Sequence, residues 1–154
     1  MNTQLLRLIC LTGLVLFWFV ASKCCGDEVN IDTLIKIESG GFRYAYNQVS
    51  GARGLMQVTP ICLEEWNQQS KTIDQYTIQD LFNPEVNKHI GTWYINTKIP
   101  HYLINCGLED TIENRLIAYN WGIGNLKRYK SGRIKELPNE TKQYIKKYRR
   151  ENEL

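Results

Sequence analysis

Apolar residues recur at helical spacing from Val29 onward, and no stretch of any length alternates apolar and polar residues as a strand would. Glycine and proline divide this pattern into segments of helix length. One helix is predicted to end at Gly40-Gly41, and others to begin at Thr59-Pro60 and near Pro138. The pattern therefore predicts an all-α fold.

Two more helices are predicted in the middle of the chain. One begins at Pro84, and Pro100 ends or kinks it. Asp110 and Glu113 have the spacing of a capping box, which predicts the start of the other. Gly122 is expected to break that helix.

The composition is that of one globular domain. The chain has 154 residues, of which 43% are apolar and 23% charged, and we expect one domain over residues 27–154. A net charge of +3 does not indicate nucleic acid as a partner. The cysteine spacings fit no zinc pattern, so no metal is expected.

The N-terminal residues 1–22 are predicted to be a signal peptide. The uncharged run over residues 8–22 is shorter than the roughly 20 residues that a membrane-spanning helix needs, and Val20-Ala21-Ser22 resembles a cleavage site. The alternative is an uncleaved membrane anchor in residues 8–22. Both place the domain outside the cytoplasm, in the periplasm or cell envelope.

Cys62 and Cys106 belong to the domain. Export permits a disulfide, and these two cysteines are the predicted pair. The alternative is two buried free thiols.

Glu38 is the candidate catalytic residue. It shares a helix face with Ile31 and Leu34, where burial raises a carboxyl pKa. A general acid working near neutrality needs a rise from about 4.3 to about 6. The alternative is an ordinary surface carboxylate at a helix end. Gln57 follows at short range and adds an amide side chain.

The motifs around Glu38 closely resemble the soluble lytic transglycosylase (SLT) family. Glu38-Ser39-Gly40 is followed by residues 51–60, with the sequence Gly-Ala-Arg-Gly-Leu-Met-Gln-Val-Thr-Pro. Residues 81–87, residues 118–122 and a closing motif of Pro138, Thr141 and Tyr144 follow in the family's order. The ordered set covers nearly the whole chain after the N-terminal segment.

This resemblance implies a lysozyme-like helical domain, of the goose-type lysozyme and SLT kind, with a groove for a peptidoglycan glycan strand. The implied reaction cleaves the β-1,4 bond between N-acetylmuramic acid and N-acetylglucosamine and leaves 1,6-anhydro ends. Glu38 would be the sole general acid and base, assisted by the acetamido group of the substrate. No cofactor is implied, and secretion, conjugation or phage machinery are possible partners.

Two rival functions fit the same fold. A hydrolytic muramidase would need a second acid, for which Glu64, Glu65 and Asp74 are available. A non-catalytic wall-binding assembly protein would not need Glu38 at all.

The resemblance implies substrate-binding roles for further residues. Gln57 would hydrogen-bond a sugar, Asn120 would contact the substrate or a loop, and Tyr119 would reach toward the acid. Met56 would line the groove and Trp121 would stack on a sugar. Core packing is the alternative for Met56, Tyr119 and Trp121.

Two positions near the acid have other expected roles. Ser39 completes the Glu-Ser pair of the family and is expected among the substrate-binding residues, with setting the helix end as the alternative. Asn47 stands where the family often has a serine, in a loop one residue longer than the commonest spacing. Contacts to the acetamido group are therefore expected to differ here.

Overall fold

The computed structural model describes residues 28–70 and 75–152. These ranges contain α1 (Ile31–Ser39), α2 (Pro60–Gln69), α3 (Pro84–Trp93), α4 (Ile99–Asn105), α5 (Ile112–Trp121), α6 (Ile123–Lys130) and α7 (Asn139–Glu151). Within them, extended pairing is limited to two isolated bridges that join Arg53 to Tyr46 and to Val58. The all-α prediction is confirmed.

Several predictions concern residues outside these ranges. The signal peptide or anchor in residues 1–22 is among them, as is the candidate acid Asp74. Among the helices that the structure describes, none combines the length and the apolar character needed to cross a bilayer.

The predicted boundaries of α1 and α2 rest on local chemistry that the structure confirms. The side chain of Asn30 caps α1 by accepting a hydrogen bond from the Thr33 N–H, and Gly40 ends the helix at a φ of 62°. Thr59 caps α2 in the same way, and Pro60 occupies the first turn, where its missing N–H costs nothing.

The helix that begins at Pro84 was predicted to end or kink at Pro100. In the structure α3 already ends at Trp93. A π-helical turn, Tyr94–Lys98, joins α3 to α4, and Pro100 lies in the first turn of α4. A proline ring clashes with the carbonyl group four residues earlier in a regular α-helix. The wider π turn changes the hydrogen-bonding pattern at this point and so accommodates the ring.

The start of α5 differs by one residue from the predicted capping box. Thr111 caps the helix by accepting from the Asn114 N–H. Asp110 instead accepts two hydrogen bonds, at 2.6 and 2.8 Å, from the guanidinium of Arg115. Gly122 ends α5 at a φ of 90°, but the chain continues directly into α6, which the sequence pattern did not predict.

The core is arranged around α5. Its Leu116 packs in one apolar cluster with Leu34 of α1, while its neighbour Ile117 packs in a second cluster with Ile145 of α7. The first and last described helices also meet directly, because the Asn30 N–H donates to the Tyr148 hydroxyl at 2.7 Å. This contact brings two distant parts of the chain together at the site described below.

The structure holds Cys62 and Cys106 as free thiols, which corrects the predicted disulfide. Cys62 is buried in the first turn of α2 and packs in the apolar cluster with Leu34 and Leu63. Burial raises the pKa of its thiol. Cys62 therefore acts as a small apolar core residue, as the alternative of two buried free thiols expected, whereas Cys106 is only partly buried.

Candidate active site

Glu38 lies in the last turn of α1 and lines a cavity of about 670 Å³. One wall of the cavity comes from the segment after α1 and carries no charged residue. A second part of the lining comes from α5 and α7. The lining residues on the first wall are Asn47, Val49, Ser50, Ala52, Gln57 and Thr59, and those on the second are Tyr119, Asn120, Glu140, Gln143, Tyr144 and Lys147.

The Glu38 carboxyl group has the acidity of a general acid. Burial raises its pKa from 4.5 to about 7. A hydrogen bond of 2.5 Å from the Tyr144 hydroxyl opposes the rise, since it favours the charged form, and the negative charge of Glu140 adds to the rise. The shift has the direction predicted from the apolar helix face. A carboxyl with this pKa holds a proton near neutrality and can also release it.

The tyrosine that contacts the acid is Tyr144. Tyr119, which was expected to reach toward Glu38, donates instead to the Met56 carbonyl oxygen at 2.7 Å. Tyr119 still lines the cavity, and burial followed by the charge of Glu38 raises the pKa of its phenol. Tyr119 therefore positions the segment that contains Met56 and Gln57.

Gln57 lines the cavity as predicted, but its backbone is unusual. It is the one non-glycine residue with positive φ, 50°, in the described ranges. Its side-chain amide donates to the carbonyl oxygens of Gly54, at 3.1 Å, and Ala45, at 3.3 Å. The left-handed conformation costs free energy for any residue with a Cβ atom, so the surrounding contacts must hold it in place.

Met56 does not line the groove. Its side chain is fully buried and fills the space beside Gly91 of α3, where an added Cβ would lie 2.6 Å from the Met56 sulfur. The core-packing alternative is therefore correct. The side chain anchors the backbone on which Gln57 stands.

A buried asparagine on α3 also fixes this segment. The side-chain oxygen of Asn87 accepts from the Met56 N–H at 2.8 Å. Its amide group donates to the carbonyl oxygens of Arg53 and Leu81, each at 2.8 Å. Gly54 leaves room for this contact, since a Cβ there would lie 2.3 Å from the Asn87 amide nitrogen. Asn87 stands in the motif of residues 81–87, which gave no indication of this role.

The three other predicted residues have different placements. Asn120 lines the cavity, and its side-chain oxygen accepts from the Thr141 hydroxyl at 2.8 Å. The Ser39 hydroxyl donates to the Leu55 carbonyl oxygen at 2.7 Å and so ties the end of α1 to the next segment. Trp121 packs against the second apolar cluster and not in the cavity. Ser39 and Trp121 are thus structural neighbours of the site.

Asn47 occupies the uncharged wall of the cavity. Its side-chain oxygen accepts from the N–H groups of Val49 and Ser50, at 2.9 and 3.2 Å. These bonds shape the tip of the loop, which reflects the known preference of asparagine for closing local turns. The loop therefore places Val49 and Ser50 on the lining of the cavity that Glu38 also lines.

The carboxylate that accompanies Glu38 in the cavity is Glu140. Glu64 and Glu65 do not line the cavity; Glu65 accepts instead from the Tyr102 hydroxyl at 2.8 Å. Sequence reasoning missed Glu140, Gln143 and Lys147 as site residues, and gave Tyr144 no role beside the acid. The spacing of these four residues places them on one face of α7, and this pattern could have identified them from the sequence. In the described residues, no three His, Cys, Asp or Glu side chains group closely enough to hold a metal ion.

The family model for the transglycosylase SLT domain matches residues 20–141. Two membrane-bound lytic murein transglycosylases E, both from Buchnera aphidicola, are similar to this chain. The one from subspecies Acyrthosiphon pisum (strain APS) is 38% identical over 78 residues, which are 49% of this chain and 34% of the relative. The one from subspecies Baizongia pistaciae (strain Bp) is 31% identical over 94 residues, 57% of this chain and 44% of the relative.

The chain thus spans less than half the length of these relatives. The family model, by contrast, extends over most of this chain, from before α1 into the first turn of α7, and includes Glu38, Gln57 and Asn120. The all-helical architecture is consistent with the lysozyme-like domain of that family. On this match, the chain belongs to the transglycosylase SLT domain family.

Proposed function

We propose that this protein is a peptidoglycan lytic transglycosylase that cleaves the β-1,4 bond between N-acetylmuramic acid and N-acetylglucosamine. The products would carry 1,6-anhydro-N-acetylmuramic acid ends. The observation that carries the proposal is the Glu38 carboxyl, with its pKa raised to about 7, in a cavity of about 670 Å³. Family membership and the names of the two relatives support the reaction and the substrate.

Both proton transfers fall to Glu38 in this proposal. Protonated Glu38 donates to the glycosidic oxygen while the bond from C1 to that oxygen breaks, and N-acetylglucosamine leaves with a free hydroxyl. Between the two proton transfers, the acetamido oxygen of the substrate is bonded to C1. The Glu38 carboxylate then takes the proton of the C6 hydroxyl as O6 displaces the acetamido oxygen from C1. The ring closes, Glu38 is protonated again, and no water is consumed.

The neighbours of Glu38 suit this double role. The carboxylate is charged between the two proton transfers, and the Tyr144 hydroxyl donates to it at 2.5 Å. Gln57 and Asn120 both line the cavity, and their side-chain amides would bond sugar hydroxyl or acetamido groups there. A pKa near the working pH serves an acid that must become a base one step later.

Product analysis tests the reaction directly. The purified protein is incubated with peptidoglycan, and the masses of the released fragments are measured by mass spectrometry. Anhydro ends, lighter by one water than reducing ends, are the expected product. Glu38→Gln should reduce release by roughly a hundredfold or more. Glu65→Gln is the matched control, because it alters a carboxylate that does not line the cavity.

One observation favours a second candidate, a hydrolytic muramidase. Glu140 lines the same cavity as Glu38, and a second carboxylate is what a hydrolase needs to activate water. Reducing ends without anhydro sugars, together with loss of turnover in Glu140→Gln, would establish hydrolysis. If Glu38→Gln and the wild type clear a wall suspension equally, Glu38 is not catalytic; if neither clears it, the protein is a non-catalytic wall-binding protein.

Location and partners complete the proposal. The substrate lies outside the cytoplasm, and both named relatives are membrane-bound, so we place this protein in the cell envelope or periplasm. Residues 1–22 would direct export, or the run over 8–22 would hold it to the membrane. Fractionation of cells that carry the full chain, with antibody detection, distinguishes a released domain from an anchored one. A secretion, conjugation or phage apparatus would be the setting for local opening of the wall.

A further inference from the structure

One face of α7 carries two charged residues, of which the proposed reaction does not use Lys147. The Tyr144 hydrogen bond to Glu38 fixes which face of α7 points into the cavity. Glu140 lies four residues before Tyr144 and Lys147 three residues after it, so both share that face. Both line the cavity. A rise of about 1.5 Å per residue separates their backbones by roughly 10 Å along the helix.

Lys147 differs from most other cations of α7 in having no acidic partner in the described ranges. Lys142 pairs with Glu136, Arg149 with Glu113 and Arg150 with Glu151. Lys147 forms no such pair, and it is the one Lys or Arg that lines the cavity in the part of the chain that the structure describes. An anionic group that enters the cavity would therefore meet this ammonium group.

In a stem-bearing strand the sugars carry no charge, because the lactyl carboxyl of each N-acetylmuramic acid is amide-linked to its stem. The charges of peptidoglycan are on the peptide stems, which branch from every second sugar and bear free carboxylates. Lys147 also has no visible part in setting the acidity of Glu38, whose pKa responds to burial, Tyr144 and Glu140. It lies beyond residue 141, where the match to the family model ends.

We propose that Lys147 binds a carboxylate of the peptide stem and makes the enzyme prefer stem-bearing strands over bare glycan. This inference rests on the proposed function, since it names the form of peptidoglycan that the cavity takes. The geometry behind it is an ammonium group that has no acidic partner among the described residues and lies on the same face of α7 as Tyr144, which contacts Glu38. Glu140, at the other end of that face, repels carboxylates, so the stem would be directed toward Lys147.

The test compares two substrates for each variant. Two substrates are digested: peptidoglycan strands with intact stems, and strands stripped of stems by an amidase, in which the lactyl carboxylate exposed on each muramic acid is then capped as a neutral amide. The ratio of kcat/KM on the two gives the preference. Lys147→Met should lower this ratio roughly tenfold, the effect of losing one charge-assisted hydrogen bond. Lys147→Arg should restore most of the preference. Lys146→Met is the matched control, because Lys146 faces a different cavity beside Glu113 and Arg149.

Binding separates this inference from the reaction itself. In the Glu38→Gln background, affinity for stem-bearing and bare fragments is measured with and without Lys147→Met. Loss of the affinity difference in the double variant supports stem recognition, even if product analysis shows hydrolysis instead of transglycosylation. A preference that Lys147→Met leaves unchanged, or that Lys146→Met lowers equally, would overturn the inference. Thermal unfolding of each variant confirms that the fold is intact.

Discussion

The hydroxyl of Tyr144 donates a 2.5 Å hydrogen bond to the carboxyl oxygen of Glu38 across 106 residues of sequence. This bond joins α7 to α1 at the candidate acid. It makes the acidity of Glu38 depend on two opposing influences besides burial: the phenol, which lowers the pKa, and the carboxylate of Glu140, which raises it. Each influence can be removed separately.

Tyr144→Phe removes the donor and keeps the ring. The pKa of Glu38 should then rise further, because burial is no longer opposed by a bond to the charged form. The alkaline limb of the pH–rate profile is expected to move to higher pH, and kcat to fall roughly tenfold. Tyr148→Phe is the control: it removes the hydroxyl that accepts from the Asn30 N–H and should cost stability while the limb stays in place. A limb that does not move in Tyr144→Phe would mean that Tyr144 does not set the acidity.

Glu140→Gln should move the alkaline limb in the opposite direction. Without the negative charge of Glu140, ionisation of Glu38 becomes easier and its pKa falls. The shift of the limb relative to the wild type should become smaller in salt on the order of 1 M, because exposed charges are then screened within about 3 Å. Glu136→Gln, which alters a carboxylate of an exposed ion pair with Lys142, should leave the profile unchanged. A limb that shifts equally in both variants would indicate a general charge effect.

Glu38→Gln should make stability less dependent on pH. The folded-state pKa of Glu38 lies above the unfolded value, so its contribution is fully present below pH 4.5 and is lost as the pH rises to about 7. The variant is therefore expected to gain roughly 3 kcal/mol in free energy of unfolding over the wild type across this window. Urea unfolding at about pH 4 and about pH 8 measures the gain. For Glu64→Gln, at an exposed carboxylate, the free energy of unfolding should differ from the wild-type value by the same amount at both pH values. The same result for Glu38→Gln would show that the acid is not buried.

Gln57 offers a test of backbone strain at the site. Gln57→Ala and Gln57→Gly both remove the side-chain amide from the cavity, and both should lower activity. At a φ of 50°, alanine keeps the steric cost of a Cβ atom, while glycine does not. The glycine variant should therefore be more stable than the alanine variant by up to about 1 kcal/mol in thermal unfolding. An alanine variant of equal or greater stability would show that the left-handed conformation is not retained.

The sequence predicted the parts of the site that depend on nearby residues. Glu38 could be found because its helix face, its cap at Asn30 and its stop at Gly40 all lie within one short segment. The cap of α5 was placed one residue early because Asp110 and Thr111 are both good caps, and only the pairing of Asp110 with Arg115 decides between them.

The remaining parts depend on contacts between distant segments. Met56 lies in the core because Gly91, on another helix, leaves a space for its sulfur. Tyr144 meets Glu38 only when α7 has packed beside α1. Neither relationship leaves a periodic signal in one segment, so a pattern of residue types cannot show it.

The meeting of α1 and α7 has a consequence for how the protein becomes active during synthesis. α1 emerges from the ribosome long before α7, and a contact between segments so far apart forms late in folding. Until α7 arrives, the Glu38 carboxyl has water on the side that Tyr144 later covers and should keep nearly ordinary acidity. A nascent or proteolysed chain without α7 is therefore expected to lack the proposed activity, since the last helix supplies both the cover and the hydrogen bond that Glu38 receives in the folded protein.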